Sequence, residues 1–181
     1  MRRYLVVAHQ TLGSPELLEA MRDQLAEGPC TFHLVVPEYH GGGLTWSEGE
    51  VRRRAELRLE DARLAFTTAG LAVSGEVGDS NPVEAVEHAI RRDGGDSFDG
   101  IIVSTLPHGI SKWLGLDVPS RLKRRTGLHV RHIIGADVQG ARSPVDEDDR
   151  EGDERGQGTR GDGERQEAQR GLAERSRGGS R

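Results

Sequence analysis

Residues Asp99–Asp117 read DGIIVSTLPHGISKWLGLD, and the fold turns on them. Gly100–Val103 is a short, wholly apolar run, the kind that suits a strand buried on both faces of a parallel sheet. A polar turn over Ser104–Gly109 and a short helical piece over Ile110–Leu114 are expected to follow. Asp117, ahead of Val118-Pro119-Ser120, then reads as a fresh N-cap with proline in the tolerated first turn. Open parallel sheets bind ligands beyond the carboxyl ends of their strands, where the chain order reverses. Ser104, Thr105, His108 and Gly109 therefore fall where such a protein would do its chemistry.

Working outward, Arg3–His9 (RYLVVAH) and Thr31–Val36 (TFHLVV) read as strands, and Ser14-Pro15-Glu16 opens the helix between them. Leu17, Leu18, Met21 and Leu25 supply that helix's apolar stripe, and Gly28-Pro29 stops it. Ser47 and Glu50 have the spacing of a capping box, with Trp46 set to staple onto Val51. Val51, Ala55, Leu59, Ala62, Phe66 and Ala69 continue at helical spacing up to Gly70. Leu71–Val77 reads as a third strand, and Asn81-Pro82-Val83-Glu84 as the cap of a helix facing inward through Val83, Val86, His88, Ala89 and Ile90. A helix ending at Gly127 and a strand over Leu128–Ile134 complete a βαβαβαβαβ order. Such alternation predicts an α/β fold: a doubly wound, five-stranded parallel sheet with helices on both faces and right-handed crossovers.

Composition divides the chain. Residues 1–135 have the size of one domain with a real core, whereas from Ala136 apolar residues almost vanish among Gly, Asp, Glu and Arg. A segment like 136–181 buries too little to offset ~1–2 kcal/mol per residue of backbone ordering, so a disordered, low-complexity charged tail is expected. The single cysteine, Cys30, excludes a disulfide framework and a Cys-rich zinc site and fits a reducing cytoplasm. No apolar run reaches the ~18 residues of a membrane span, and MRRYLVVAHQ lacks the features of a secretory signal. A net charge of −5 argues against nonspecific nucleic-acid binding by the whole chain.

The order of elements, with VVAHQTLGS, EVGDSNPVEAVEHAI, DGIIVST and RLKRRTGLHVRHII, resembles the universal stress protein family over nearly all of Met1–Ile134. The resemblance implies a five-stranded parallel sheet and a homodimer. Many family members bind ATP and others do not. ATP-binding members end strand one in an aspartate near the adenosine, and His9 stands at that place here. They also carry G-x2-G-x9-G and a Ser or Thr after strand four, whose backbone N–H groups cradle the phosphates. Val103, Leu106, Leu116 and Asp117 fall on those four positions, and none keeps the expected type. Each charged hydrogen bond lost to phosphate removes roughly 1.5–3 kcal/mol, so tight ATP binding in the family manner is not expected.

The candidate ligand cleft comprises His9, Thr11, Ser104, Thr105, His108, Gly109, Ser111 and Lys112. No catalytic residue is assigned: Ser and His occur near one another, yet no G-x-S-x-G elbow accompanies them. No metal site is assigned: His33, His88, His129 and His132, on predicted strands or helices, lack ligand spacing and read as packing or surface residues. The leading expectation is a cytoplasmic, non-enzymatic stress-response protein with a degenerate nucleotide cleft and no resident cofactor, acting through a protein partner or a small ligand. Two alternatives stand beside it: a nucleotide-binding module (ATP or AMP) using a rearranged strand-four loop, and a small phosphoester or nucleotide hydrolase of related fold.

Overall fold

Strands and helices alternate through residues 1–38, 47–94, 97–107, 117–136 and 138, which the computed structural model describes. In chain order they are β1 (Arg2–Val7), α1 (Pro15–Ala26), β2 (Cys30–Pro37), α2 (Glu48–Thr68), β3 (Val73–Gly78), α3 (Pro82–Arg92), β4 (Gly100–Thr105), α4 (Val118–Thr126) and β5 (His129–Ile134). The strands form one five-stranded sheet in the order β3-β2-β1-β4-β5, every neighbouring pair parallel. All of these residues lie in the compact unit Met1–Gly140.

Strand alternation builds two cores, one on each face. Tyr4, Val6 and Ala8 meet Leu17 and Met21 of α1 and Ala55, Leu59, Ala62 and Phe66 of α2. Leu5 and Val7 turn the other way, towards Val83, Val86 and Ala89 of α3 and Val118 and Leu122 of α4. The doubly wound arrangement expected from the sequence is thus present. Polar ties join the layers at their margins. Arg131 of β5 bonds Asp23 of α1 at 2.8 Å, and Arg125 of α4 holds Glu87 of α3 in a two-pronged ion pair. The Arg125 guanidinium keeps the Glu87 carboxyl below the usual carboxylate range.

Three helix starts follow the sequence. Ser14 accepts from Leu17 N, Asn81 accepts from Val83 N, and Ser47 and Glu50 close a full capping box. Replacing Ser47→Ala should cost about 1 kcal/mol, read as a lower urea midpoint at unchanged m-value. The fourth start differs. Asp117 occupies the N-cap position of α4, but its side chain makes no cap bond. A capping side chain works from an extended backbone, as at Ser14 and Ser47, whereas Asp117 is left-handed at φ 49°. Pro119, at the second helical position, also lacks one of the N–H groups a cap would bind.

Other differences are local. Leu25 and His88 are exposed, and Ala20 and Ala85 take the inward places instead. Trp46, the short helical piece 110–114 and the loop around His40 lie outside the described residues. β4 runs to Thr105, two residues beyond the apolar run, because β5 continues the ladder through Ser104↔Ile133 and Thr105↔Ile134.

Candidate functional site

β1 and β4 are neighbours, yet the chain leaves them in opposite directions, β1 towards β2 and β4 towards β5. The crevice beyond their carboxyl ends is the topological switch point of the sheet. His9 and Thr11 approach it from β1, Ser104 and Thr105 from β4. His108, Gly109, Ser111 and Lys112 lie outside the described residues.

His9 is buried at 7% exposure, its Nε2 lying 2.7 Å from Nη1 of Arg58 on α2. A guanidinium can only donate, so Nε2 is the acceptor and the ring proton sits on Nδ1. Burial first, and the Arg58 charge second, push the imidazole down to about 3. His9 is therefore neutral at physiological pH and presents a donor at the end of β1.

Ser104 and Thr105 do not act together. Because Thr105 belongs to the strand and not to a turn, the two side chains point to opposite faces. Thr105 Oγ1 meets Nε2 of His132 at 2.8 Å, on the face of α3 and α4. Ser104 lies on the α1 face, near Ser14: a Cβ built on Gly135 would stand 2.6 Å from Ser14 Oγ and 3.2 Å from Ser104 Oγ. The Thr11 and Ser104 hydroxyls, each at about 1% exposure, have no hydrogen-bond partner among the described residues.

The amino terminus of α1 is filled from within. The Glu16 carboxylate accepts from Ala136 N at 3.1 Å, and bonds to backbone N–H groups, its own and that of Ala136, hold it below the ordinary carboxylate range. Gly135 N donates to Thr105 O at 2.9 Å and Val138 N to Gln10 O at 3.4 Å, so the chain leaving β5 is laid across the β1–α1 turn. Ser14-Pro15-Glu16 signals a helix start in the sequence, but nothing local names residue 136 as its partner. Arg58, Gly135 and His132 were likewise invisible as neighbours of the end of β1 and β4, since each is brought in from another element.

Of the four positions that the resemblance aligns with the family's glycine motif, three fall among the described residues. Val103 is fully buried in the apolar cluster beneath α3 and α4, and Leu106 is 4% exposed. Leu116 lies outside the described residues, and Asp117 is exposed at the start of α4. Among the described residues no group of His, Cys, Asp and Glu is placed to hold a metal ion, and no helix is long and apolar enough to cross a membrane. His33 is half-buried with Nδ1 2.9 Å from Ser74 Oγ, a packing role on the sheet.

No family model matches the chain, and no curated protein does. Solved structures similar to it are universal stress proteins, the family whose likeness the sequence carries. A universal stress protein family member from Burkholderia pseudomallei is 20% identical, covering 72% of this chain and 94% of its own, with a TM-score of 0.45. A universal stress protein in complex with cAMP is 13% identical over 75% of this chain and 98% of its own, TM-score 0.47. A third, from Archaeoglobus fulgidus, is 13% identical over 74% and 93%, TM-score 0.46.

Proposed function

We propose that this chain is a non-enzymatic stress-response protein of the universal stress type, cytoplasmic and dimeric, whose cleft does not hold ATP in the family's manner. It acts by binding a protein partner or a small ligand at the β1–β4 switch point. One observation carries the reading: where ATP-binding members place a carboxylate at the end of strand one, His9 is buried, neutral and occupied by Arg58. A neutral imidazole thus stands where those members have a carboxylate. Val103 and Leu106, buried where glycines would cradle phosphate, support the same conclusion.

Isothermal titration with Mg-ATP tests it. The loss of two or more charged contacts, each worth roughly tenfold or more in affinity, predicts a dissociation constant weaker than about 100 µM. A value in the low micromolar range would overturn the reading. A second reading has its own support in the unpartnered hydroxyls of Thr11 and Ser104, which a rearranged strand-four loop would use together with His9, His108 and Lys112 to hold a nucleotide. Nucleotide copurifying with the protein would favour that module instead.

A further inference from the structure

β5 ends at Ile134, yet the chain after it is still bonded to the carboxyl edge of the sheet. Gly135 N donates to Thr105 O at the end of β4 (2.9 Å), Ala136 N to the Glu16 carboxylate at the start of α1 (3.1 Å), and Val138 N to Gln10 O in the turn after β1 (3.4 Å). β4 lies between β1 and β5. A chain that runs from β5 to the turn after β1 must therefore cross the carboxyl end of β4, where the switch-point crevice opens. Gly135 is buried at that crossing and fits closely: an added Cβ would stand 2.6 Å from Ser14 Oγ and 3.2 Å from Ser104 Oγ. Ser104, at 1% exposure and with no partner for its hydroxyl among the described residues, is thus shut in with Gly135 beside it.

What holds this crossing differs from what holds the sheet. Ala136 is exposed and Val138 only half-buried, so little apolar surface anchors it, whereas every residue of β4 is buried. Segments with few buried apolar contacts and water-accessible backbone bonds open locally while the core stays folded. We propose that Gly135, Ala136 and Val138 form a strap that closes the β1–β4 crevice on its α1 side, latched by the bond from Ala136 N to Glu16, and that a ligand reaches Ser104 only when the strap lifts. The inference rests on the reading that ligands enter at this switch point, and it gives that site a regulation. Only the released fraction of the protein is competent, so the apparent affinity of a ligand falls by that fraction.

Labelling with methyl methanethiosulfonate of a thiol introduced by Ser104→Cys in the full chain reads the released fraction and needs no ligand. The buried Cys30 of the parent chain gives the background rate. Glu16→Ala removes the acceptor of the latch and Ala136→Pro its N–H donor. Each should speed labelling at position 104 by about fivefold to tenfold, while amide exchange along β4 and β5 stays as slow as in the parent. With Ser104 intact, the Ala136 amide should exchange about tenfold or more slower than in an unstructured peptide, and Glu16→Ala should abolish that protection. A labelling rate indifferent to either substitution, a rise accompanied by lost protection along β4, or an Ala136 amide exchanging at the peptide rate would each overturn the strap. Low-micromolar Mg-ATP binding sinks the degenerate-cleft reading and leaves the strap standing, so the two failures are separable.

Discussion

Acidifying the protein from pH 6.5 towards pH 3 should remove folding stability through His9, and His9→Asn should flatten that loss. In the folded state the imidazole is held down to about 3, by burial and then by the Arg58 charge. In the unfolded chain it titrates near 6.5. Between those values the unfolded state binds the proton and the folded state does not, so stability rises with pH across the window and falls on acidification. The slope approaches about 1.4 kcal/mol per pH unit, with a ceiling of about 5 kcal/mol near pH 3. His33, also held below its usual value by burial, adds in the same direction, and Glu76 and Asp93 oppose it. Asparagine at position 9 keeps an acceptor for Arg58 without a titrating proton. Urea unfolding at steps from pH 7 to 4 should therefore show a shallower slope in His9→Asn, and parallel slopes would remove the buried neutral histidine from the account.

Gly75→Val should destabilise the fold by about 3 kcal/mol or more and lower the melting temperature by roughly 10 °C. Gly75 sits in β3 opposite Leu34. A Cβ there would meet Leu59 Cδ1 at 2.7 Å, Leu34 O at 2.8 Å and Leu34 Cβ at 2.9 Å. The Leu59 methyl can swing aside, but the Leu34 carbonyl and Cβ belong to the neighbouring strand. Relief requires β3 to peel from β2 or α2 to lift from the sheet. Gly49, in the first turn of α2, is the contrast: the nearest atom to its added Cβ is Ser47 Oγ at 4.0 Å. Gly49→Ala should be neutral or stabilising by up to about 1 kcal/mol. A Gly75→Val protein melting with the wild type would mean that β3 is not clamped between β2 and α2.

Much of the architecture was legible because its signals are local. Ser14-Pro15, Ser47 with Glu50, and Asn81-Pro82 each cap the helix they announce. These bonds span two to three residues and depend on nothing distant. Periodicity did the same for α2, whose buried residues Val51, Ala55, Leu59, Ala62 and Phe66 were all named by spacing. Local signals misled where a neighbour intervened. The polar Ser104 and Thr105 read as a turn, but β5 extends the ladder past them and strand geometry then sends their hydroxyls to opposite faces. Asp117 reads as a cap, yet its backbone is left-handed and its side chain makes no cap bond to the helix it precedes.

By itself the sequence determined the order of strands and helices, the faces they bury, and therefore a doubly wound parallel sheet, since apolar periodicity and capping act within a few residues. It also placed a histidine at the end of β1. Only the tertiary structure decided what that histidine is. Arg58 arrives from 49 residues away, and Glu16 reaches Ala136 across 120. Charge, tautomer and hydrogen-bond partner depend on distance in space and on exclusion of water, and neither quantity is written in the spacing of residues along the chain.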